Sequence, residues 1–212
     1  MRRIPQIQLA PLIGAVADPG LGPDPPDEVT EAILDAAASV LLAGGLRHCT
    51  VEAIAENGRI GRTTIYRRFG GRDDLIHAVL AREVRRLFAA IAAAVGHLER
   101  HEDRVIEGLL AGLRAVESSP LAPLVRSEPE LLRLLSVEAG ALVNGAVTFL
   151  VEEDRRANGR EPTDRARHTA ELLVRFAATL VTTPQSTLPL HDDELARRAL
   201  HDLLDPLLLP LL

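Results

Sequence analysis

The sequence predicts an all-α protein, with a compact three-helix unit near the amino-terminal end followed by a helical bundle. Three observations carry that reading. The 212 residues include no Trp, one Tyr and four Phe, so a core has to be built from Leu, Ala, Val and Ile. Those residues recur at spacings of three and four, the period of a helix, rather than in the alternation of a strand. Glycine pairs and prolines separate the periodic stretches. With 47% hydrophobic and 25% charged residues the chain has the composition of a folded globular protein. Its formal charge of −6 excludes a whole-molecule polycation. The single cysteine, Cys49, cannot close an intrachain disulfide, which points to an intracellular, cytoplasmic protein. No run approaches the ~18 consecutive apolar residues of a membrane span. Pro5, Gln6, Gln8 and Pro11 interrupt the segment after Met1-Arg2-Arg3, so neither membrane insertion nor secretion is expected.

Residues 1–26 hold six prolines and three glycines and read as a flexible, extended arm. From Asp27 the pattern changes. Val29, Ile33, Ala37, Val40 and Leu41 keep helical spacing behind Glu28 and Glu31, which suit the first turn, and Gly44-Gly45 is the expected stop. Thr50 is an N-cap for a short helix through Val51, Ile54 and Ala55, ended by Asn57-Gly58. A second short helix covers about 62–68, and Gly70-Gly71 separates it from a long one with its stripe at Leu75, Val79, Leu87, Ile91 and Val95. Val105, Leu109, Leu113 and Val116 make a helix before Pro120, and 121–126 make a turn or two between Pro120 and Pro129. One long helix is expected over about 130–156, ended by Asn158-Gly159. The last two cover about 163–182, with its stripe at Ala166, Ala170, Leu173, Ala177 and Leu180, and about 192–207, with Leu195, Ala199, Leu203 and Leu207. The expected division is 1–26 arm, 27–72 helix-turn-helix unit and 73–212 bundle.

Charge is distributed unevenly. Residues 59–72 carry Arg59, Arg62, Arg67, Arg68 and Arg72 and no acid, a local +5 in a chain whose remaining residues sum to −11. At ~100° per residue, Ile65 and Phe69 share one face of the second short helix, where the neighbouring helices can bury them. Thr63 and Arg67 lie opposite, flanked by Thr64 and Tyr66, with Arg62 in the first turn. In a helix-turn-helix that end enters the major groove. Arginine reaches the two acceptors of guanine bidentately, and a threonine methyl meets a thymine methyl.

The run Thr50-Val51-Glu52-Ala53-Ile54-Ala55, then Ile60-Gly61-Arg62-Thr63-Thr64-Ile65-Tyr66-Arg67-Arg68-Phe69, then Arg72-Asp73-Asp74-Leu75, resembles the DNA-binding domain of the tetracycline-repressor (TetR) family of bacterial transcription regulators. The match spans about residues 28–76. The resemblance implies a sequence-specific, homodimeric repressor of a double-stranded DNA operator, released by a small-molecule effector bound in a variable carboxy-terminal domain, with no enzymatic activity. Resemblance and residue chemistry together place Arg62, Thr63 and Arg67 on base edges and Thr50, Tyr66, Arg68 and Arg72 on phosphates, with Thr64 beside them. Tyr66 has an alternative place, partly buried under the long helix. Two positions depart from the family pattern. Gly58-Arg59 stands where the family usually has Ala-Gly, so either Arg59 takes a left-handed conformation or the turn shifts onto Gly58. Gly61 replaces the usual Ser or Thr cap. Arg2 and Arg3 could track a minor groove, although a disordered tail is the commoner case.

The bundle carries no motif of comparable strength. Phe88, Arg114, Glu138, Asn144, Phe149 and Arg175 are the effector-binding candidates: aromatic residues, and polar residues in apolar surroundings that could orient a ligand or equally face solvent or a partner subunit. The scarcity of aromatics favours an aliphatic effector over a planar cationic one. His97 and His101 have a spacing that would suit zinc with Glu102 or Asp103, but they read better as a polar helix end, and no metal or cofactor is expected. Esterase, metalloprotease, phosphate-loop and dinucleotide-binding patterns are absent. The homodimer is expected through about 163–207, where small Ala166, Ala170 and Ala177 permit close approach and Leu203 and Leu207 supply apolar surface. Rival readings are the same DNA-binding scaffold without an effector, and a helical enzyme or ligand-binding bundle with an incidental basic helix.

Overall fold

A computed structural model describes residues 27–136, 139–159 and 161–208, ten α-helices with no strand among the described residues. The arm at 1–26, with Arg2 and Arg3, lies outside them.

The first three helices are α1, Glu28–His48, α2, Val51–Gly58, and α3, Arg62–Phe69. Asp27 caps α1 by accepting the Thr30 N–H at 2.8 Å, and Thr50 caps α2 by accepting the Ala53 N–H at 3.1 Å. The Gly44-Gly45 pair bends α1 without ending it. Gly45 takes φ 69, ψ −174, and helix resumes to His48. The bend frees the Leu46 N–H, which donates to Glu128 Oε1 at 3.1 Å. By length and composition α1 would also pass for a membrane span. Its apolar residues Ile33, Leu34, Ala37 and Leu41 are instead buried in the core of the three-helix unit.

The long α4, Arg72–Val95, gives Leu75, Ile76 and Val79 to that core, so the core continues past residue 72. It then packs along α5, His101–Ser118. The short α6, Ala122–Ser127, and α7, Pro129–Ser136, return Leu121, Leu124 and Leu131 to the same core. The single helix expected over 130–156 is in fact two. After α7 a new helix, α8, runs Gly140–Asn158, and the break lets the chain change partners, from the first core to the bundle. Gly159, at φ 66, ends α8 with its N–H on the Arg155 carbonyl at 2.8 Å.

Two further helices complete the bundle: α9, Asp164–Thr182, packed on α8, and α10, Asp193–Leu208, packed on α5. The α10 stripe that fills the protomer core lies one residue on from the stripe expected at the dimer interface. Ala196, Leu200, Leu204 and Leu208 form the second core with Ile106 and Leu110, while Leu195 and Leu203 face outward. The helix has two apolar faces, and sequence spacing alone does not say which one the protomer uses.

Candidate nucleic-acid interface and the adjoining cavity

The basic segment folds as α3 and the turns at its two ends. Ile65 is fully buried and Phe69 packs against the same core, which fixes the rotation of α3. Arg62, Thr63 and Arg67 are exposed and Thr64 is half-buried. Tyr66 is 48% exposed, so it lies on the surface and not under α4. Gly61 gives α3 no side-chain cap, and open space surrounds the position of its missing Cβ.

The departure at Gly58-Arg59 resolves in favour of Arg59. Arg59 sits at φ 53, ψ 39 and closes α2 in the left-handed conformation, with the Ile60 N–H on the Ala55 carbonyl at 3.0 Å. Gly58 is needed for another reason. A Cβ there would lie 2.9 Å from both Ala36 Cβ and Ile60 Cδ1, so the absent side chain is what lets α2 approach α1.

Two of the expected phosphate contacts hold groups inside the protein. Arg68 Nη1 donates to Asp27 Oδ2 at 2.7 Å and to Thr30 Oγ1 at 2.7 Å, closing the start of α1 onto the end of α3. The Thr30 N–H, then the Thr30 hydroxyl and Arg68, lower the Asp27 pKa to about 2. Arg72 donates through Nε to the Cys49 carbonyl at 2.6 Å, through Nη2 to the Leu46 carbonyl and through Nη1 to Asp73. It thereby fixes the segment between the α1 bend and the Thr50 cap. Cys49, buried in this corner, has its thiol pKa pushed up to about 11, which keeps it protonated and inert. Arg59, Arg62 and Arg67 carry no ion pair or side-chain hydrogen bond among the described residues.

A short helix, a turn and a second short helix thus present three unpaired guanidiniums, two threonines and a tyrosine on one basic surface. Residues 33–79 match the family model for bacterial regulatory proteins of the tetR family. The likeness to the TetR family covers that segment. Three solved structures share its fold. One is AlkX, a TetR-family repressor from Dietzia sp. strain DQ12-45-1b implicated in biodegradation of n-alkanes, at 24% identity and TM-score 0.64 over 85% of this chain and 98% of that one. The transcriptional repressor QsdR of R. erythropolis matches at 26% and 0.53, covering 87% and 96%. A TetR-family regulator from Streptomyces coelicolor A3 matches at 21% and 0.51, covering 89% and 99%. Curated protein sequences give no match.

In the bundle α4, α5, α8 and α9 line a half-open cavity of about 640 Å³, within the range of small-molecule sites. Its wall is mostly Leu, Val, Ile and Ala, with Phe88 and Phe149 in edge-to-face contact at 4.8 Å between ring centroids. The polar residues on the wall are already partnered in several places. Glu83 accepts from the Ser119 hydroxyl at 2.7 Å and from Arg86 at 2.9 Å. His101 Nδ1 meets Asp154 at 2.9 Å, and Arg104 donates to the Val95 and Leu98 carbonyls at 3.2 and 3.3 Å.

Of the five effector candidates among the described residues, Phe88 and Phe149 line this cavity. Arg114 pairs with Asp193 at the start of α10, and Arg175 pairs with Glu171 at 2.8 Å on the outer side of α9. Asn144 is exposed, its carbonyl accepting the Thr148 hydroxyl. Glu138 lies outside the described residues. The alanine stripe of α9 is also relocated: Ala166, Ala170 and Ala177 line the cavity rather than an outer surface. His97 is exposed and His101 faces Asp154, and no group of three metal-ligating side chains forms among the described residues.

Proposed function

We propose that this TetR-family regulator is a homodimeric cytoplasmic repressor that leaves its operator when an uncharged, largely aliphatic small molecule enters the cavity. The observation that carries the reading is the span of α4. Its first turns, through Leu75, Ile76 and Val79, belong to the DNA-binding core, and its later turns, through Leu87, Phe88, Ile91 and Val95, form a cavity wall. Between them the buried Arg82 donates to Glu31 at 2.9 Å and Asp35 at 2.7 Å, fastening α4 to α1. A ligand that favours one tilt of α4 therefore shifts both reading heads, provided it binds the two arrangements with different affinity.

Arg62, Thr63 and Arg67 are assigned to base edges, with Thr64 at the margin. Tyr66 and Thr50 are assigned to phosphates; the Thr50 oxygen accepts its cap bond while its proton stays available to donate. Arg68 and Arg72 act as positioning residues. The apolar, aromatic-poor wall supports an aliphatic ligand, since each ionic group it contains already has a partner or a set of carbonyls. Exposed Leu172, at 68%, with Leu195 and Leu203, supports a dimer face built from α9 and α10. The working division is a reading head at 27–72 whose core borrows the start of α4, and an effector and dimer domain beyond it.

The test selects an operator from random DNA and measures its affinity by anisotropy in the presence of medium-chain alcohols, ketones and lactones. At least one should raise the melting temperature and lower operator affinity together. Ligands that stabilise the protein while leaving operator affinity unchanged would remove the release mechanism and leave a regulator without an effector.

A further inference from the structure

The turn between α2 and α3 carries a cost that packing does not demand. Arg59 is the one non-glycine residue at positive φ among the described residues. An L residue is strained there by the approach of its Cβ to the backbone, and glycine is not. The neighbouring glycine is committed elsewhere, since Gly58 lies against Ala36 and Ile60. The chain therefore places its longest cationic side chain at the position where glycine would be free of strain. That side chain is exposed and has no ion pair or hydrogen bond among the described residues. Strain kept at a surface position, together with an unpartnered cation, points to a partner outside the chain.

We infer that Arg59 is a phosphate-contacting residue of the DNA interface, adding electrostatic anchoring from a guanidinium that no described residue engages. The inference rests on α3 entering the major groove with Arg62 near its floor. Three residues earlier, position 59 lies within about 10 Å of Arg62 along the chain. The groove is about 12 Å across, so an arginine side chain starting there reaches the phosphates of its wall. Such a contact carries no sequence information and fixes the register in which Arg62 and Arg67 meet the bases.

The experiment uses the full chain, a pool-selected duplex and a random-sequence duplex, both fluorescein-labelled, titrated at several salt concentrations alongside thermal melts. Arg59→Gly should weaken both duplexes about three- to tenfold. It should also shrink the log–log salt slope by about 0.9 per bound protomer. Because the strain is relieved, it should melt at or above the wild-type temperature. Arg59→Lys should restore most of the salt slope. Wild-type affinity and slope in Arg59→Gly would overturn the assignment. So would an affinity loss that follows a lowered melting temperature, or a failure of Arg59→Lys to recover the slope. Arg62→Ala separates the underlying premise: it should lose chiefly on the selected duplex, and no loss there would reject the groove placement of α3, while the Arg59 result is still read on the random duplex.

Discussion

Gly58→Ala tests how the reading head is held against α1. Gly58 is the last residue of α2 and has no positive φ, so alanine meets no backbone strain and gains helix propensity, up to about 1 kcal/mol and less at a helix end. Against that gain, the new methyl would sit 2.9 Å from Ala36 Cβ and 2.9 Å from Ile60 Cδ1. Ile60 can rotate its terminal carbon away. Ala36 cannot, because its Cβ is fixed to the α1 backbone, so the helices must separate by several tenths of an ångström. Overpacking of this kind costs about 1–3 kcal/mol. The net expectation is a loss of about 0.5–2 kcal/mol, a drop of roughly 2–6 °C in the melting temperature for a chain of this size. Tyr66 is the only tyrosine in a chain without tryptophan, so its emission follows this domain specifically. In an Ala36→Gly background, Gly58→Ala should cost less than it does alone, a coupling that a double-mutant cycle measures directly. A Gly58→Ala protein that melts at or above wild type by Tyr66 emission would refute the argument, because propensity would then outweigh the contact.

The two arginine classes should separate by what they lose. Arg67→Ala should keep the wild-type melting temperature and lose about 1–3 kcal/mol of binding at particular base pairs, read from competition among operator variants. Arg72→Ala should instead lower stability by roughly 1.5–3 kcal/mol, as charge-assisted bonds to the Cys49 and Leu46 carbonyls disappear, and chemical denaturation followed at Tyr66 reports it. Charging the outer face with Leu172→Glu and Leu203→Glu together should give a folded monomer by light scattering, with helical circular dichroism retained. Asp27 is lowered from 3.8 to about 2 in the folded state, so its contribution is complete above about pH 4 and fades as pH falls toward 2. Asp27→Asn keeps the cap and loses the charge; its melting deficit should be largest near neutrality and vanish around pH 2.

The parts of the fold legible in the sequence are those governed by local chemistry. Thr50 before an apolar run, the Gly70-Gly71 pair after 62–69 and Asn158-Gly159 each act within a few residues, and they set helix ends where expected. Gly44-Gly45 marked the interruption of α1, but the resumption of helix after Gly45 and the break before α8 were not legible. Both depend on distant partners: the Glu128 carboxylate that receives the Leu46 N–H, and the first core that retains Leu131. On α10 the apolar residues populate two neighbouring stripes, and only the position of α5 decides which is buried.

The same distinction separates the two sites. A recognition helix is one short element read against its own core residues, so Ile65 and Phe69 fix which side chains face outward, Tyr66 among them. A cavity is the meeting of faces from several helices. A polar residue in an apolar stretch, such as Asn144 or Arg175, was therefore a poor guide, since its neighbours in sequence point around the whole helix. The arginine cluster hides a similar ambiguity. Its charge identified the surface, yet Arg68 and Arg72 have carbonyl and carboxylate partners from 23 to 41 residues away, which no local spacing announces. Arg59, Arg62 and Arg67 have no partner among the described residues, whereas Arg68 is engaged through Nη1 alone and keeps Nε and Nη2 to donate. The positive field that draws DNA belongs to the whole cluster, whereas the ability to donate to a phosphate or a base belongs to the members with donors left over.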